Sequence, residues 1–453
     1  MNKQLWDKIE QFDLDSPPSE YGFSTRLSKE NYWTKEFTAQ AILEYKKFMS
    51  LAATSDFMVS PSAIVDTVWH QHLIFTQSYQ SFCNLIGKHI QHVPSTHNKE
   101  DFQKFKLAKE RTTKLYENVF GKQPTAIWDY NDMFESLNLK KAKFKIRTFV
   151  IIGILTFIGL TLPFYLLLSP IYVNIDNPYF IRGFIGLTII TFIGLELYNL
   201  SRLKQITRLS DPQSFIYNLQ PYELVYLKTQ QLASIINGVV NELIHDNIVK
   251  INPNNTIELS KSGSTKSNEQ LQATAVLREL GRIYYPKLLK QLAGKPLFRI
   301  VPNSMEAFKK YVNKSAKFGQ LFYFNFGVLS FLLMFAFIRL TTGILRDKPV
   351  TLIAMIVVVL TMVIIVYLNR LTKLICIKTI PGIYKKEILP TRHIEDNWQW
   401  SYFLLGTAAL TTSFIPLANY VNRNNNSGGT SCGSSCGSSC GSSCSSCGGC
   451  GGD

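Results

Sequence analysis

Cysteine is scarce in the body of this sequence, where only Cys83 and Cys376 occur; the other six cysteines lie in the C-terminal tail. A network of disulfides is therefore not expected to hold the fold together. The first 30 residues also lack an apolar run and are rich in charge and proline. We expect no cleavable signal peptide, and we expect the first membrane-spanning helix to direct insertion itself.

The sequence also lacks the short motifs of several enzyme classes. It contains no Walker A loop, no G-x-G-x-x-G after a strand, no G-x-S-x-G and no H-E-x-x-H. Phosphate-binding loops, nucleophile elbows and zincin helices depend on these spacings. The motifs therefore indicate none of these enzyme classes.

Acidic residues are few: 32 Asp and Glu stand against 48 Lys and Arg, which gives a formal net charge of +16. In a soluble protein this balance would indicate binding to nucleic acid. Here much of the excess charge lies beside apolar runs, where Lys and Arg are attracted to anionic lipids. We therefore expect the lipid bilayer as a partner, and we do not expect nucleic acid.

Long apolar runs are abundant. Residues 146–168 carry no charge after Arg147 and are long enough to cross a hydrocarbon core of about 30 Å. Residues 179–200, 318–340 and 350–368 predict three further spans, and residues 402–421, which include Pro416, predict a fifth. The basic residues before residue 146 predict a cytoplasmic N-terminus by the positive-inside rule, and five spans then put the tail outside.

These spans predict a mainly α-helical, multi-pass membrane protein. Its soluble parts are an N-terminal all-α domain and a winged-helix-like α+β cytoplasmic insert. The predicted order is an all-α domain (1–130), a basic linker (131–145), a transmembrane hairpin (146–200), the insert with further helices (201–317), a second transmembrane hairpin (318–368), a basic cytoplasmic segment (369–400), the fifth helix (401–421) and a disordered Gly/Ser/Cys-rich tail (422–453).

The insert is predicted to contain two helices followed by a β-hairpin. Residues 248–251 and 256–259 flank a turn of Asn, Pro, Asn and Asn, which is typical of a hairpin. Helix, helix and hairpin together resemble a winged helix, but the second helix, at 230–245, is not basic and offers no grip on phosphate. We therefore expect an interaction or regulatory module.

Five of the seven histidines fall between positions 70 and 97. Asp66 and His70 are four residues apart and share one face of a helix, whereas His72 points about two-thirds of a turn away. The loop after this helix offers three candidates for a third ligand: His89, His92 and His97. Asp66, His70 and one of them would form a three-ligand site with an open position, as catalytic zinc or iron uses.

An alternative interpretation of the cluster needs no metal. In it, Asp66 hydrogen-bonds to His70, and His72 is a core histidine beside Trp69 and Tyr79. The sequence leaves both interpretations open. The candidate metal ligands are Asp66, His70, His72 and His92, and zinc is the candidate metal.

The tail repeats Cys, Gly and Ser, a composition that cannot build a core. Cys444, Cys447 and Cys450 have the spacing that thiolate ligands for Zn or Cu(I) can use. A structural zinc site normally has two such pairs separated by a longer loop, which is missing here. An exported tail would instead form disulfides, whereas a cytoplasmic tail would favour metal or thiol chemistry.

The pattern V-D-x-x-W-H-x-H at residues 65–72, with Trp33, Tyr45 and His92-x-Pro94 around it, resembles the glycine-rich domain-containing protein-like family. The resemblance covers about residues 20–130. It implies a helical module, and it implies no established activity.

A second resemblance covers about residues 180–453. The segment L-Q-P-Y-E-L at 219–224, the turn G-x-x-R-x-K-P-V at 343–350 and the Gly/Cys-ending tail resemble uncharacterised bacterial membrane proteins with Gly- or Cys-rich ends. The resemblance implies a bacterial inner-membrane protein.

Three functions are consistent with these features. The first is a scaffold or sensor whose modules at 1–130 and 201–317 bind protein partners and whose Cys-rich tail is exported. The second is a membrane-tethered metal-dependent enzyme that uses the Asp66 and His70 cluster. The third is transport of a small solute, which the scarcity of charge in the centre of the spans disfavours.

Overall fold

The computed structural model describes residues 3–17, 19–93, 99–260, 265–392 and 397–420. The chain is mainly helical, as expected, and carries a small three-stranded sheet. It divides into two compact units. The first unit comprises residues 1–136, 211–307 and 385–453, and the second comprises residues 137–210 and 308–384.

The N-terminal part of the first unit is all helical. Its helices are α1 (Lys3–Gln11), α2 (Phe23–Asn31), α3 (Lys35–Thr54), α4 (Ala63–Ile74), α5 (Thr76–Ile86), α6 (Lys99–Phe120) and α7 (Thr125–Trp128). Helix α3 contacts α1, α2, α4, α6 and α7, so Tyr45 and Phe48 on it are fully buried. Thr34 and Ser62 accept hydrogen bonds from backbone N–H groups and so cap the starts of α3 and α4.

Val65, Trp69, His72, Thr76, Tyr79 and Cys83 recur at spacings of three and four, and this stripe predicts one helix over residues 63–86 with these side chains buried. The structure has two helices, α4 and α5, over these residues. The backbone of Phe75 leaves helical geometry, with φ −85° and ψ 63°. The Phe75 ring packs edge-to-face on Phe23, with centroids 5.5 Å apart. Thr76, which the pattern puts on the buried face, is exposed. The buried stripe is therefore interrupted at Thr76, and it resumes at Tyr79 and Cys83, which are buried.

Helices α8 (Ile146–Val173) and α9 (Asn177–Thr207) follow in the second unit. The insert then returns to the first unit with α10 (Pro221–Thr229), α11 (Leu232–His245), β1 (Val249–Ile251), β2 (Thr256–Leu259), α12 (Asn268–Leu280), β3 (Ile283–Tyr284), α13 (Tyr285–Gly294) and the start of α14 (Pro296–Asn313). The predicted hairpin of β1 and β2 is confirmed, with Lys250 opposite Glu258. The strand β3 extends it into an antiparallel sheet of order β1-β2-β3.

The insert and the N-terminal helices, which the sequence treats as separate domains, belong to the same unit. Asp211 accepts hydrogen bonds from Thr125 Oγ1 at 3.2 Å and from the Tyr130 hydroxyl at 3.1 Å. Gln220 Nε2 donates to Glu36 Oε2 at 3.2 Å. Polar contacts therefore join stretches of the chain that are far apart in sequence.

The second unit is completed by α15 (Ala316–Ile344), α16 (Thr351–Leu374) and the short α17 (Ile380–Ile383). Four helices are long and apolar enough to cross a membrane, at residues 146–173, 177–207, 316–344 and 351–391. The last of these continues α16 through π-helical turns at Ile375–Thr379 and Tyr384–Ile388. The first four predicted apolar helices are thus confirmed.

The predicted fifth span is not among these four. Residues 401–421 include the end of α18 (Trp398–Leu405), a 3-10 turn at Gly406–Ala409 and a short helical end. Gly406 has φ +64°, which ends α18 after eight residues. The Tyr402 hydroxyl donates to the Ser234 carbonyl at 2.8 Å, and Phe414 is fully buried against Tyr285. The apolar side chains of this segment therefore serve the core of the first unit.

Polar side chains inside the second unit connect its helices. Asn199 of α9 and Asn325 of α15 exchange two side-chain hydrogen bonds of 2.8 and 2.7 Å, and Asn199 also bonds to the Tyr367 hydroxyl of α16 at 3.0 Å. Both asparagines are fully buried. Arg339 of α15 donates to the carbonyl oxygens of Tyr172 and Ile175 at the end of α8. These bonds connect four helices, α8, α9, α15 and α16.

Glu196 lies near the end of the apolar part of α9, and its position just before Arg202, Lys204 and Arg208 predicts an ion pair with these bases. The structure shows other partners. Glu196 pairs with Arg370, at 2.9 Å, and with Lys378, at 3.1 Å, both beyond the apolar part of α16. Glu196 is therefore a link between α9 and the end of the fourth apolar helix.

Candidate metal site

The start of α4 positions two of the candidate ligands. Ser62 caps the helix, so Asp66 lies in its first turn and His70 lies one turn later on the same face. His70 Nδ1 is 3.2 Å from Asp66 Oδ2 and 3.0 Å from the Asp66 carbonyl oxygen. The local helix alone therefore brings these two side chains together.

A chain of hydrogen bonds returns the loop after α5 to α4. Gly87 ends α5 with φ +73°, a conformation that favours glycine. Trp69 Nε1 then donates to the Tyr79 hydroxyl at 3.2 Å, and this hydroxyl donates to the carbonyl oxygen of Ile90. The ring of His92, two residues on, packs edge-to-face on Trp69 with centroids 4.6 Å apart.

His92 thereby joins Asp66 and His70. Its Nε2 lies 2.9 Å from Asp66 Oδ1, so the two oxygens of this carboxylate face different imidazoles. One ligand atom from each of the three residues lies within 4.8 Å of the other two. Around a tetrahedral zinc ion with bonds of 2.0–2.1 Å, ligand atoms stand about 3.3 Å apart. The two distances from Asp66 to the imidazoles, 3.2 and 2.9 Å, are close to this value.

The donor set suits a transition metal. Two imidazoles and one carboxylate bind zinc or ferrous iron and leave coordination positions open. The side chains of Asp66 and His92 are 13% and 14% exposed, whereas that of His70 is 49% exposed. Asp66 and His92 therefore lie on the buried side of the cluster, and the half-exposed His70 lies on the side that a small ligand can reach.

A cavity of about 610 Å³ adjoins the cluster. Asp66, Trp69 and His92 form part of its wall. The rest combines apolar side chains, among them Phe57, Met58, Val59 and Phe105, with polar ones that include several serines, Lys88, Lys106 and Lys109. Sites for small molecules commonly combine such apolar walls with a few polar groups.

His72, a candidate ligand from the sequence, does not join the cluster. It is fully buried, with Nδ1 bonded to the Tyr45 hydroxyl at 2.8 Å and Nε2 bonded to Ser78 Oγ at 3.1 Å. Burial lowers the pKa of its imidazole to about 4, so the ring is neutral at pH 7. Both ring nitrogens are engaged, and the interpretation of His72 as a core histidine is correct.

The structure describes one further candidate ligand, His89. His89 is exposed and borders the cavity without belonging to the cluster. His97 and the tail cysteines Cys444, Cys447 and Cys450 lie outside the described residues. Cys83 belongs to the stripe of residues 63–86, which predicts a buried thiol, and it is buried. Among the described residues, this is the one group of three or more His, Cys, Asp or Glu side chains placed to hold a metal ion.

The sequence did not reveal the cavity or the bond from Tyr79 to Ile90 that sets the position of His92. Tyr79 looks like a core residue in the sequence, because its spacing from Trp69 fits a buried stripe. The partner of its hydroxyl is a backbone carbonyl in a loop, and no side-chain pattern marks that group.

The region that contains the cluster is similar in sequence to one family. Residues 19–116 match the UCP032817-like family model. This uncharacterised family covers Asp66, His70 and His92 but less than a quarter of the chain. No curated protein and no solved structure matches the chain. The match supports neither the resemblance of residues 20–130 to the glycine-rich domain-containing protein-like family nor the resemblance of residues 180–453 to bacterial membrane proteins. Both stay predictions.

Proposed function

We propose that this chain is a multi-pass membrane protein that senses a divalent transition metal through Asp66, His70 and His92. The observation that carries the proposal is the convergence of these side chains, with both oxygens of Asp66 turned toward imidazole nitrogens. Four apolar helices of sufficient length support the membrane location. Zinc is the metal that the donor set favours most simply.

The metal content of the purified full-length protein tests this proposal. We expect about one zinc ion per chain in elemental analysis, because three protein ligands are sufficient for such a site. His92→Ala and Asp66→Asn should lose the metal. His89→Ala is the matched control, since His89 borders the same cavity outside the cluster, and it should retain the metal. Equal metal content in all four proteins, or none in the wild type after zinc is supplied, would contradict the proposal.

The finer assignments belong to this proposal as well. We place the protein in a bacterial inner membrane with its N-terminus in the cytoplasm, on the basis of the basic residues before α8 and the C-terminal resemblance. The helices of residues 1–130 and the winged-helix-like insert at residues 201–317 would present surfaces for protein partners. Pull-down with full-length protein, with and without zinc, tests whether partner binding follows metal binding.

The cavity favours one second function, a membrane-tethered metal-dependent enzyme. Its volume of about 610 Å³ would accept a small molecule, and Asp66 and His92 in its wall would place the open metal positions in contact with that molecule. Hydrolysis of p-nitrophenyl acetate and p-nitrophenyl phosphate by the zinc-loaded protein tests this function. Activity should disappear in His92→Ala and persist in His89→Ala.

A further inference from the structure

Two basic segments lie side by side at the entrance to the second unit. We call them the basic ridge; its residues are Lys140, Lys141, Lys143, Lys145, Arg147, Lys314 and Lys317. All seven are exposed, and none of these side chains has a hydrogen-bond or ion-pair partner among the described residues. Residues 137–147 and 309–323 contain no Asp or Glu. The charge of the ridge is therefore uncompensated locally.

The backbone holds the two segments in register. Lys141 and Ser315 form an antiparallel bridge, in which the Ala142 N–H donates to the Lys314 carbonyl at 2.9 Å and the Ala316 N–H donates to the Lys140 carbonyl at 2.7 Å. The Tyr323 hydroxyl donates to the Phe144 carbonyl at 2.7 Å. Lysines about 170 residues apart in sequence thus share one preformed surface, which lowers the entropy cost of binding an anion.

The surroundings of the ridge identify the kind of anion. Helices α8 and α15 both begin here, at Ile146 and Ala316, and both are long and apolar enough to cross a membrane. Their N-termini add partial positive charge to that of the lysines. Phe144, between Lys143 and Lys145, is 63% exposed, as aromatic side chains at a membrane surface often are. A ligand with a phosphate and acyl chains fits this combination, whereas free phosphate would leave the apolar part unused.

We propose that the basic ridge binds the phosphate headgroup of an anionic phospholipid in the leaflet where α8 and α15 begin. This inference rests on the membrane location in the proposed function. The ridge lies wholly within the second unit, and it does not depend on the metal site. The lipid would bridge the starts of the first and third apolar helices.

Binding of phosphatidylglycerol to the detergent-purified full-length protein tests the proposal, with phosphatidylcholine as the zwitterionic reference. We compare the wild type with a variant that carries Lys140→Gln, Lys141→Gln, Lys143→Gln, Lys314→Gln and Lys317→Gln. The matched control replaces five exposed lysines of the first unit by Gln: Lys3, Lys8, Lys122, Lys287 and Lys290. Both variants remove the same charge.

We expect the wild type to prefer phosphatidylglycerol, and we expect the ridge variant to lose at least about tenfold in affinity, because each juxtamembrane lysine adds attraction to anionic lipid. The control should stay within about twofold of the wild type, since none of its lysines directly flanks an apolar helix in the sequence. Added NaCl should weaken phosphatidylglycerol binding in the wild type, because salt screens exposed charges. Should the Gln variant fail to fold, the same five positions changed to Arg keep the charge and must retain binding.

Three results would overturn the inference. They are equal affinity of the ridge variant and the wild type, equal affinity of the wild type for the two lipids, and complete displacement of the lipid by inorganic phosphate. A chain found in the soluble fraction without detergent would refute the membrane location itself. A membrane-bound chain without lipid preference refutes the ridge alone, so the two failures are distinguishable.

Discussion

Two positions separate His70 from His72, yet the two side chains have different surroundings. His70 is half-exposed beside Asp66, whereas His72 is fully buried between Tyr45 and Ser78. A helix turns about 100° per residue, so side chains two apart point to different sides. The same geometry explains why the candidate metal site includes the loop histidine, His92, and not His72, which is nearer in sequence.

The buried imidazole of His72 makes stability depend on pH. Its pKa is about 4 in the folded protein and about 6.5 in an unfolded chain. Between these values the unfolded chain binds a proton that the folded chain does not, so the free energy of unfolding falls as pH falls from about 6.5 to about 4. Titration of this single group should lower the free energy of unfolding by roughly 3 kcal/mol across that pH range.

Thermal unfolding of wild type and His72→Gln between pH 4 and 8 measures this effect. The wild type should lose stability relative to the variant as the pH is lowered, because Gln does not titrate. At pH 8 the variant should be the less stable of the two, since Gln does not reproduce both bonds of the imidazole. A constant difference between the two proteins at every pH would show that His72 is not buried as a neutral ring.

At the scale of elements, the paired amides of Asn199 and Asn325 join α9 to α15 in surroundings that are otherwise apolar. Interhelical hydrogen bonds of this kind contribute about 1 kcal/mol in membrane proteins. Replacement of one partner also leaves the other amide without its bonds.

We therefore expect Asn325→Leu to destabilise the detergent-solubilised protein by about 1–2 kcal/mol. Asn199→Leu with Asn325→Leu should recover part of that loss, because no amide is then left unpaired. Thr156→Val, on the exposed side of α8, is the control and should change stability little. A double-mutant cycle from thermal unfolding gives the coupling; additive single effects would mean that the two amides do not interact.

The chain turns at Phe75, between α4 and α5. The pattern of residues 63–86 suits one long helix, and the structure inserts a turn where the Phe75 ring reaches Phe23. That turn separates α4, which carries Asp66 and His70, from α5, which leads to the loop of His92. The periodicity of a segment cannot record a turn that is stabilised by a partner from another helix.

For the whole molecule, the number of apolar helices decides the side on which the tail lies. Four is an even number, so four spans return the chain to the side of its N-terminus. A cytoplasmic N-terminus would thus mean a cytoplasmic tail, in contrast to the exported tail expected from five spans. Cytoplasmic thiols are kept reduced, which favours metal or thiol chemistry over disulfides for the tail cysteines.

Labelling of intact cells with a membrane-impermeant maleimide tests this topology. Cys83 and Cys376 are buried, so the label should report on the tail. We expect labelling only after permeabilisation. Lys348→Cys, in the turn between α15 and α16, is the positive control and should label in intact cells. Labelling of the wild-type tail in intact cells would contradict four spans and would indicate an odd number of spans.

Much of the layout could be predicted from the sequence, because the relevant signals are local. The four long apolar helices, the hairpin of β1 and β2, the burial of Cys83 and the shared face of Asp66 and His70 all follow from composition and spacing within a few residues of one another. The choice of His92 over His89 did not, because the position of the loop depends on the bond from Tyr79 to Ile90.

The sequence by itself determined that this is a mainly helical protein, and it located the four helices that are long enough to span a membrane together with a fifth that is not. Hydrophobic length and helical spacing are properties of a continuous stretch of chain, so they can be read directly. Only the tertiary structure decided that residues 398–420 belong to the core of the first unit, that His72 lies apart from the cluster and that the lysines near residues 140 and 314 form one ridge. Each of these depends on segments far apart in sequence whose contacts exist only in the folded chain.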